Sequence, residues 1–253
     1  MKNIETNQDR TKEYLKNFNR EKTIKLLIKE VAPIIFDVGA NDGSTSIEFK
    51  EWWPNAKIHC FEPQEECWID LDILEKKYED NSIILNKCAA GNKPNNSATF
   101  YSHEITTGQS GFHKINMKSN DSIKLNKLKI QEDIDGLNDY VNLLNNERSI
   151  EVIRLDDYMA KSNINKIDIV KIDTQGYEPE VLVGFGRRLS DIDVVITELM
   201  FYDYYERSLS FTDIEKYLIP AGFQLYDISH ISKNPMNGRT DWVDVIYRNL
   251  RGW

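Results

Sequence analysis

The stretch Ile34 to Gly43, IIFDVGANDG, constrains the fold more than any other part of the chain. A short apolar run that ends on a carboxylate and a glycine turn reads as a buried parallel strand feeding a helix. Gly39 allows a tight turn and a close approach of backbone to a ligand, because no Cβ is in the way. Gly43 can do the same at the start of the helix, where Ser44, Thr45 or Ser46 could serve as cap. Ligands of open α/β sheets bind outside the carboxyl ends of the strands, where this turn falls. The pattern D-x-G-x-x-x-G departs from the G-x-G-x-x-G fingerprint that brings amides onto a pyrophosphate. An acid at the strand tip suits a ligand with a positive group and no phosphate there, such as S-adenosylmethionine (SAM). A turn whose glycines serve packing alone fits the same pattern.

A second acid follows at the next strand end. Lys57 to Phe61 reads as a strand and runs into Glu62-Pro63, 25 residues beyond Asp37. An acid at about that distance past a glycine turn is placed to accept hydrogen bonds from a ribose diol; a solvated turn residue before proline is the alternative. Gln64 to Tyr78 reads as a helix, and Ser82 to Cys88 as a third strand closed by Ala89-Ala90-Gly91. Those small residues leave room for an adenine ring or for tight packing.

The remaining chain keeps an alternating rhythm. Strands are expected at Glu151–Leu155, at Ile167–Ile172 (which carries Lys171 and ends at Asp173), at Asp193–Thr197 (which ends at Glu198), at Phe223–Ser229 and at Trp242–Tyr247. Helices are expected through Val181–Val183 and over Thr212–Leu218, with Thr212 as cap and Glu215 at the capping-box position. Alternation of this kind implies an α/β fold, a mostly parallel sheet with helices on both faces. Residues 11–31 read as one amphipathic helix that packs on the domain or on a second subunit, so a homodimer is open. The expected layout is an N-terminal helical extension over 1–32 and a domain over 33–253, with an inserted segment at about 103–149. Within that insertion Thr106–Gly111, TTGQSG, is a flexible-loop signature. The segment covers a substrate or is a surface elaboration.

Composition excludes several classes. The net charge of −9 argues against a nucleic-acid partner. No apolar run approaches the roughly 20 residues of a membrane span, so no membrane insertion is expected. Cys60, Cys67 and Cys88 lack metal-like spacing and read as reduced thiols in a cytoplasmic chain without an apolar leader.

DVGANDG (37–43), FEP (61–63), RLDDY (154–158) and above all KIDTQGYEPEVLVG (171–184) resemble the FkbM family of SAM-dependent methyltransferases. The resemblance implies a Rossmann-like class I methyltransferase with a seven-stranded sheet and an antiparallel last strand. It implies O-methylation of a sugar or polyketide-like acceptor. By the same resemblance Asp37, Gly39 and Gly43, with Ala40 and Asn41 between the glycines, would face the methionine part of SAM. Glu62 would hold the ribose. Cys88 and Ala89 would lie beside the cofactor, and Asp173 between cofactor and acceptor. Gln175, Gly176 and Glu178 would shape the turn beneath, although Glu178 also reads as a first-turn acid favoured by the helix dipole.

A sugar hydroxyl is a weak nucleophile, so a base that takes its proton would help. Asp173, His103, His113 and His230 are candidates; His59 sits inside a strand and reads as structural. Metal-independent catalysis is the default, with Mg²⁺ held by Asp173, Glu198 and a loop ligand as the alternative. Met200, Phe201, Tyr202, Tyr204 and Tyr205 could form a partly exposed acceptor wall, and Arg239 could meet a phosphate of a nucleotide-linked acceptor. The reading is an O-methyltransferase acting on a sugar hydroxyl of a nucleotide-linked or surface-glycan (capsule or lipopolysaccharide) precursor. Alternatives are a lipid or secondary-metabolite acceptor, a non-catalytic methyltransferase-like binding module, and an NAD-binding oxidoreductase, which lacks its third glycine.

Overall fold

The computed structural model describes residues 6–78, 81–119, 122 and 142–252; most of the insertion's polar stretch lies outside them. In chain order the strands are β1 (Ile34–Val38), β2 (Lys57–Phe61), β3 (Ile83–Asn86), β4 (Ala89–Ala90), β5 (Asn95–Ser102), β6 (Asn146–Ile153), β7 (Ile167–Ile172), β8 (Ile192–Met200), β9 (Phe223–Lys233) and β10 (Thr240–Asn249). The helices are α1 (Asn7–Asn17), α2 (Arg20–Leu27), α3 (Ser44–Trp52), α4 (Glu65–Lys77), α5 (Leu155–Lys161), α6 (Glu178–Gly184) and α7 (Phe211–Leu218).

Seven strands form one sheet in the order β3-β2-β1-β7-β8-β10-β9. The contacts among β3, β2, β1, β7 and β8 are all parallel, and β10 runs antiparallel to both β8 and β9. This is the Rossmann-like methyltransferase fold with its antiparallel last strand. Alternate residues of the central strands enter two separate cores. Phe36, Val170 and Val195 pack beneath α5, α6 and α7, whereas Ile35, Ile169 and Val194 pack beneath α2, α3 and α4. Burial on both faces explains why these strands read as unbroken apolar runs.

Four local features differ from the sequence reading. The N-terminal helix is two helices, because Asn19 caps α2 through a bond from the Lys22 amide. α2 buries Ile24 and Leu27, while α1 buries nothing. Gly43, at a positive φ of 81°, is the N-cap of α3 without a side-chain cap; the Ser46 hydroxyl instead donates to Asp37. The capping box of α7 is Ser210 with Asp213, not Thr212 with Glu215, because the helix starts one residue earlier. Finally, Glu151–Leu155 does not extend the main sheet. Glu151–Ile153 belong to β6, which pairs with β4 and β5 in a separate three-stranded sheet. Among the described residues no helix is long and apolar enough to cross a membrane.

Candidate active site

The carboxyl ends of β1, β2 and β7 open into a cleft. Its floor is the turn after β1. Gly39 has a φ of 78°, and a Cβ there would overlap the Asp173 carbonyl oxygen. The glycine thus lets the tips of β1 and β7 close on each other, so that Gly39, Ala40 and Asn41 line the cleft beside Asp173.

Glu62, at the tip of β2, is only 2% exposed yet lines the cleft. One carboxylate oxygen accepts the Asn41 amide at 2.8 Å; the other accepts the Gln64 amide at 2.9 Å and the Gln64 side chain at 3.2 Å. Burial raises its pKa, and the backbone bonds from Gln64 and Asn41 pull it back. Ala89, Ala90, Phe100 and Phe112 form an apolar wall. Thr107 and Gly108 line the cleft from the TTGQSG loop. Thr107 donates to the Asn41 side chain at 2.6 Å, and its carbonyl accepts from Gln64 at 3.1 Å, so the loop is tied across the cleft.

At the far side stands Asp173, with its side chain 36% exposed. Gln175 Nε2 donates to one Asp173 oxygen at 2.6 Å, and Lys171 Nζ lies 3.5 Å from the other. Lys171 also reaches the Gly39 carbonyl at 3.0 Å and lies 3.5 Å from Asp37. Burial lowers the lysine's pKa, but the charges of Asp173 and Asp37 outweigh that and raise it, so it stays protonated. The charged groups on the lining are Glu62, Asp173 and Lys171. With the lysine already offset by Asp37 beneath it, the cleft is net acidic. That donor set fits a cationic cofactor whose ribose diol meets Glu62, and offers nothing built for a pyrophosphate.

Several expected residues lie elsewhere. Asp37 is fully buried under the turn, where burial raises its pKa, and it does not line the cleft. Gly43 is off the lining too; a Cβ there would press on Leu71 and Leu74 of α4, so it serves packing. Cys88 is buried in the core next to the lining residue Ala89. The tyrosines do not form an exposed wall. Tyr202, Tyr204 and Tyr205 are 7%, 2% and 3% exposed, and pack with Ile115 and Leu144 beneath the insertion. Arg239 stacks over Tyr202 and bonds Asp241, away from the cleft. His230 lies inside β9, exposed and in register with Asp244 of β10. His113 sits behind Gly176, with Nε2 3.3 Å from Arg207; burial and that guanidinium lower its pKa. His103 anchors the loop, accepting the Ile105 and Thr106 amides at Nδ1. Of the base candidates Asp173, His103, His113 and His230, Asp173 is the one that lines the cleft. Glu178 is buried and accepts the Thr174 and Gly176 amides, and burial pushes it up to about 7. Glu198 is adjacent in register to the tip of β7; burial, then the charges of Asp173, Asp244 and Glu178, raise it well above the usual carboxylate range. No group of three or more candidate metal ligands occurs among the described residues.

Lys171, Gln64 and Thr107 carry no assignment in the sequence reading. Lys171 had a signal, a lone cation inside an apolar strand. Gln64 and Thr107 had none, because their roles arise from a loop folding back across the cleft.

The fold is that of a class I methyltransferase. Residues 37–225 match the methyltransferase FkbM domain, and the chain belongs to that family of SAM-dependent methyltransferases. It is 25% identical to the 2-O-methyltransferase NoeI of Sinorhizobium fredii over 186 residues, 72% of this chain and 70% of that protein. It is 28% identical to the 31-O-demethyl-FK506 methyltransferase FkbM of Streptomyces tacrolimicus over 155 residues, 60% of this chain and 58% of that one. The crystal structure of methyltransferase FkbM from Methylobacillus flagellatus KT superposes with a TM-score of 0.52 at 16% identity, covering 93% of this chain and 50% of the other.

Proposed function

We propose that this chain transfers the methyl group of SAM to a hydroxyl of a sugar, in a nucleotide-linked or surface-glycan precursor. The observation that carries the reading is the acidic cleft at the tips of β1, β2 and β7, with Glu62 and Asp173 at its two ends. Both relatives named above act on oxygen by their names, which supports an O-acceptor. Asn41, Ser110 and Gln175 give the cleft uncharged hydrogen-bonding groups of the kind a sugar needs.

SAM supplies a methyl group already activated on a sulfonium. The protein's work is then alignment and charge placement. Glu62 accepts the ribose hydroxyls. Gly39, Ala40 and Asn41 bring backbone against the amino-acid end. Asp173, held at one oxygen by Gln175 and facing Lys171 at the other, meets the acceptor hydroxyl and takes its proton. Residues 1–32 are read as an extension and 33–253 as the catalytic domain. The inserted segment at about 103–149, part of which lies outside the described residues, is read as covering the acceptor, and the setting as cytoplasmic.

Calorimetric titration with S-adenosylhomocysteine, with NAD as control, tests the cofactor. Micromolar binding of the first alone is expected. Transfer of labelled methyl from SAM to a panel of sugars and sugar nucleotides tests the acceptor. Asp173→Ala should then depress turnover far more than cofactor affinity. Binding of NAD, or labelling of lipid extracts but of no sugar, would overturn the assignment.

A further inference from the structure

The tyrosine cluster lies off the cleft, yet its hydroxyls reach two elements that line it. Tyr204 donates to the Gln109 side chain at 2.6 Å. The Tyr205 hydroxyl lies 2.6 Å from Gln175 Oε1 and 3.1 Å from the Gln109 carbonyl. A phenol has one proton to give. The Tyr205 hydroxyl therefore shares a single donor between the loop over the cleft and the side chain that holds Asp173.

Gln175 is fixed at both ends. Its Nε2 bonds Asp173, so its Oε1 faces Tyr205. Its backbone is at a φ of 55°, which non-glycine residues rarely adopt, and Gly176 follows at 97°. A strained turn keeps such geometry only where its surroundings over-determine it. Tyr205 supplies part of that constraint from a buried ring packed edge-on against Tyr204 at 4.9 Å.

We propose that Tyr205 is a positioning residue that couples closure of the 107–110 loop over the cleft to the setting of Asp173, acting through Gln175. The proposal rests on the reading of the cleft as the SAM site. Because both bonds draw on one proton, a change at the loop reaches Asp173, and a change at Gln175 reaches the loop.

Hydrogen exchange of the whole chain, read by mass spectrometry with and without S-adenosylhomocysteine, tests the coupling. In the ligand-free protein Tyr205→Phe should speed exchange in both 104–111 and 173–177, and Tyr204→Phe in the first segment alone. Gln175→Ala keeps the Cβ that packs near Gly111 but frees the phenol proton for the Gln109 carbonyl, so it should slow exchange in the loop. Tyr205→Phe should weaken S-adenosylhomocysteine binding about fivefold, and by about twofold in the Gln175→Ala background, where only the bond to the Gln109 carbonyl is left to lose. A merely structural tyrosine would give losses that multiply in the double variant. That result, or a Tyr205→Phe effect confined to the loop, overturns the proposal. If the wild-type chain takes no S-adenosylhomocysteine, the cofactor reading falls, and the ligand-free exchange still decides the coupling.

Discussion

Glu62→Gln separates the two demands placed on one buried carboxylate. Its oxygens face different backbone donors, the Asn41 amide at 2.8 Å and the Gln64 amide at 2.9 Å. A glutamine has one oxygen and one NH₂, so either flip sets a donor against a donor in a site that is 2% exposed. Leaving one buried N–H unpaired costs about 1–3 kcal/mol. For a chain of this size that lowers Tm by about 2–12 °C. The ribose hydroxyls lose a charged acceptor as well, worth about 1.5–3 kcal/mol, or about 10- to 150-fold in Kd. Calorimetric titration with S-adenosylhomocysteine reads the second effect, and a thermal melt without ligand reads the first. A lower Tm with Kd unchanged within twofold would refute the ribose assignment and leave Glu62 as a purely structural acid.

Gly39→Ala should give little folded protein, since its Cβ would overlap the Asp173 carbonyl at a backbone angle L-residues avoid; a wild-type melt would contradict the closure of β1 on β7. Lys171→Met removes the cation beside fully buried Asp37 and should cost about 3–5 kcal/mol in urea unfolding; a change under 1 kcal/mol would mean Asp37 is protonated in the native state. Burial, helped by Lys57, holds His59 at about 4 against 6.5, so the unfolded chain binds the extra proton on acidification and stability falls by about 3 kcal/mol from pH 7 to pH 4. Glu178, raised to about 7, has the opposite sign: its contribution is present below about pH 4.5 and is lost as pH rises through 7. The two slopes oppose each other between pH 4.5 and 6.5, so relative to the wild type His59→Gln should tilt the stability curve downward with rising pH there and Glu178→Gln should tilt it upward. Parallel curves for the wild type and both variants would refute both assignments.

The sequence was a better guide to the residues that line the cleft than to the surfaces around it, and the reason is physical. The β1 turn, Glu62 and Asp173 were legible because each is fixed by a short-range rule: an apolar strand, a turn requirement and an acid at the strand tip. Gly39 is needed there for the approach of β7, and that long-range reason produces the same local signature as ligand contact. Asp37 shows the limit of such rules. Residue alternation puts Asp37 and Lys171 on one face in register, opposite the side taken by Phe36 and Val38. It is therefore the buried counter-ion of a lysine that itself reaches the cleft. The strand expected at Glu151–Leu155 came from the alternating rhythm, which does not say which sheet a strand joins, and it missed the start of β6 at Asn146. The tyrosines were misread as exposed because a phenol can be buried once its hydroxyl finds a partner. Those partners, Gln109 and Gln175, stand 95 and 30 residues away in the chain. No local pattern announces a bond of that span, so a polar cluster beside a motif is better assigned by asking which distant amides could satisfy it than by its own composition.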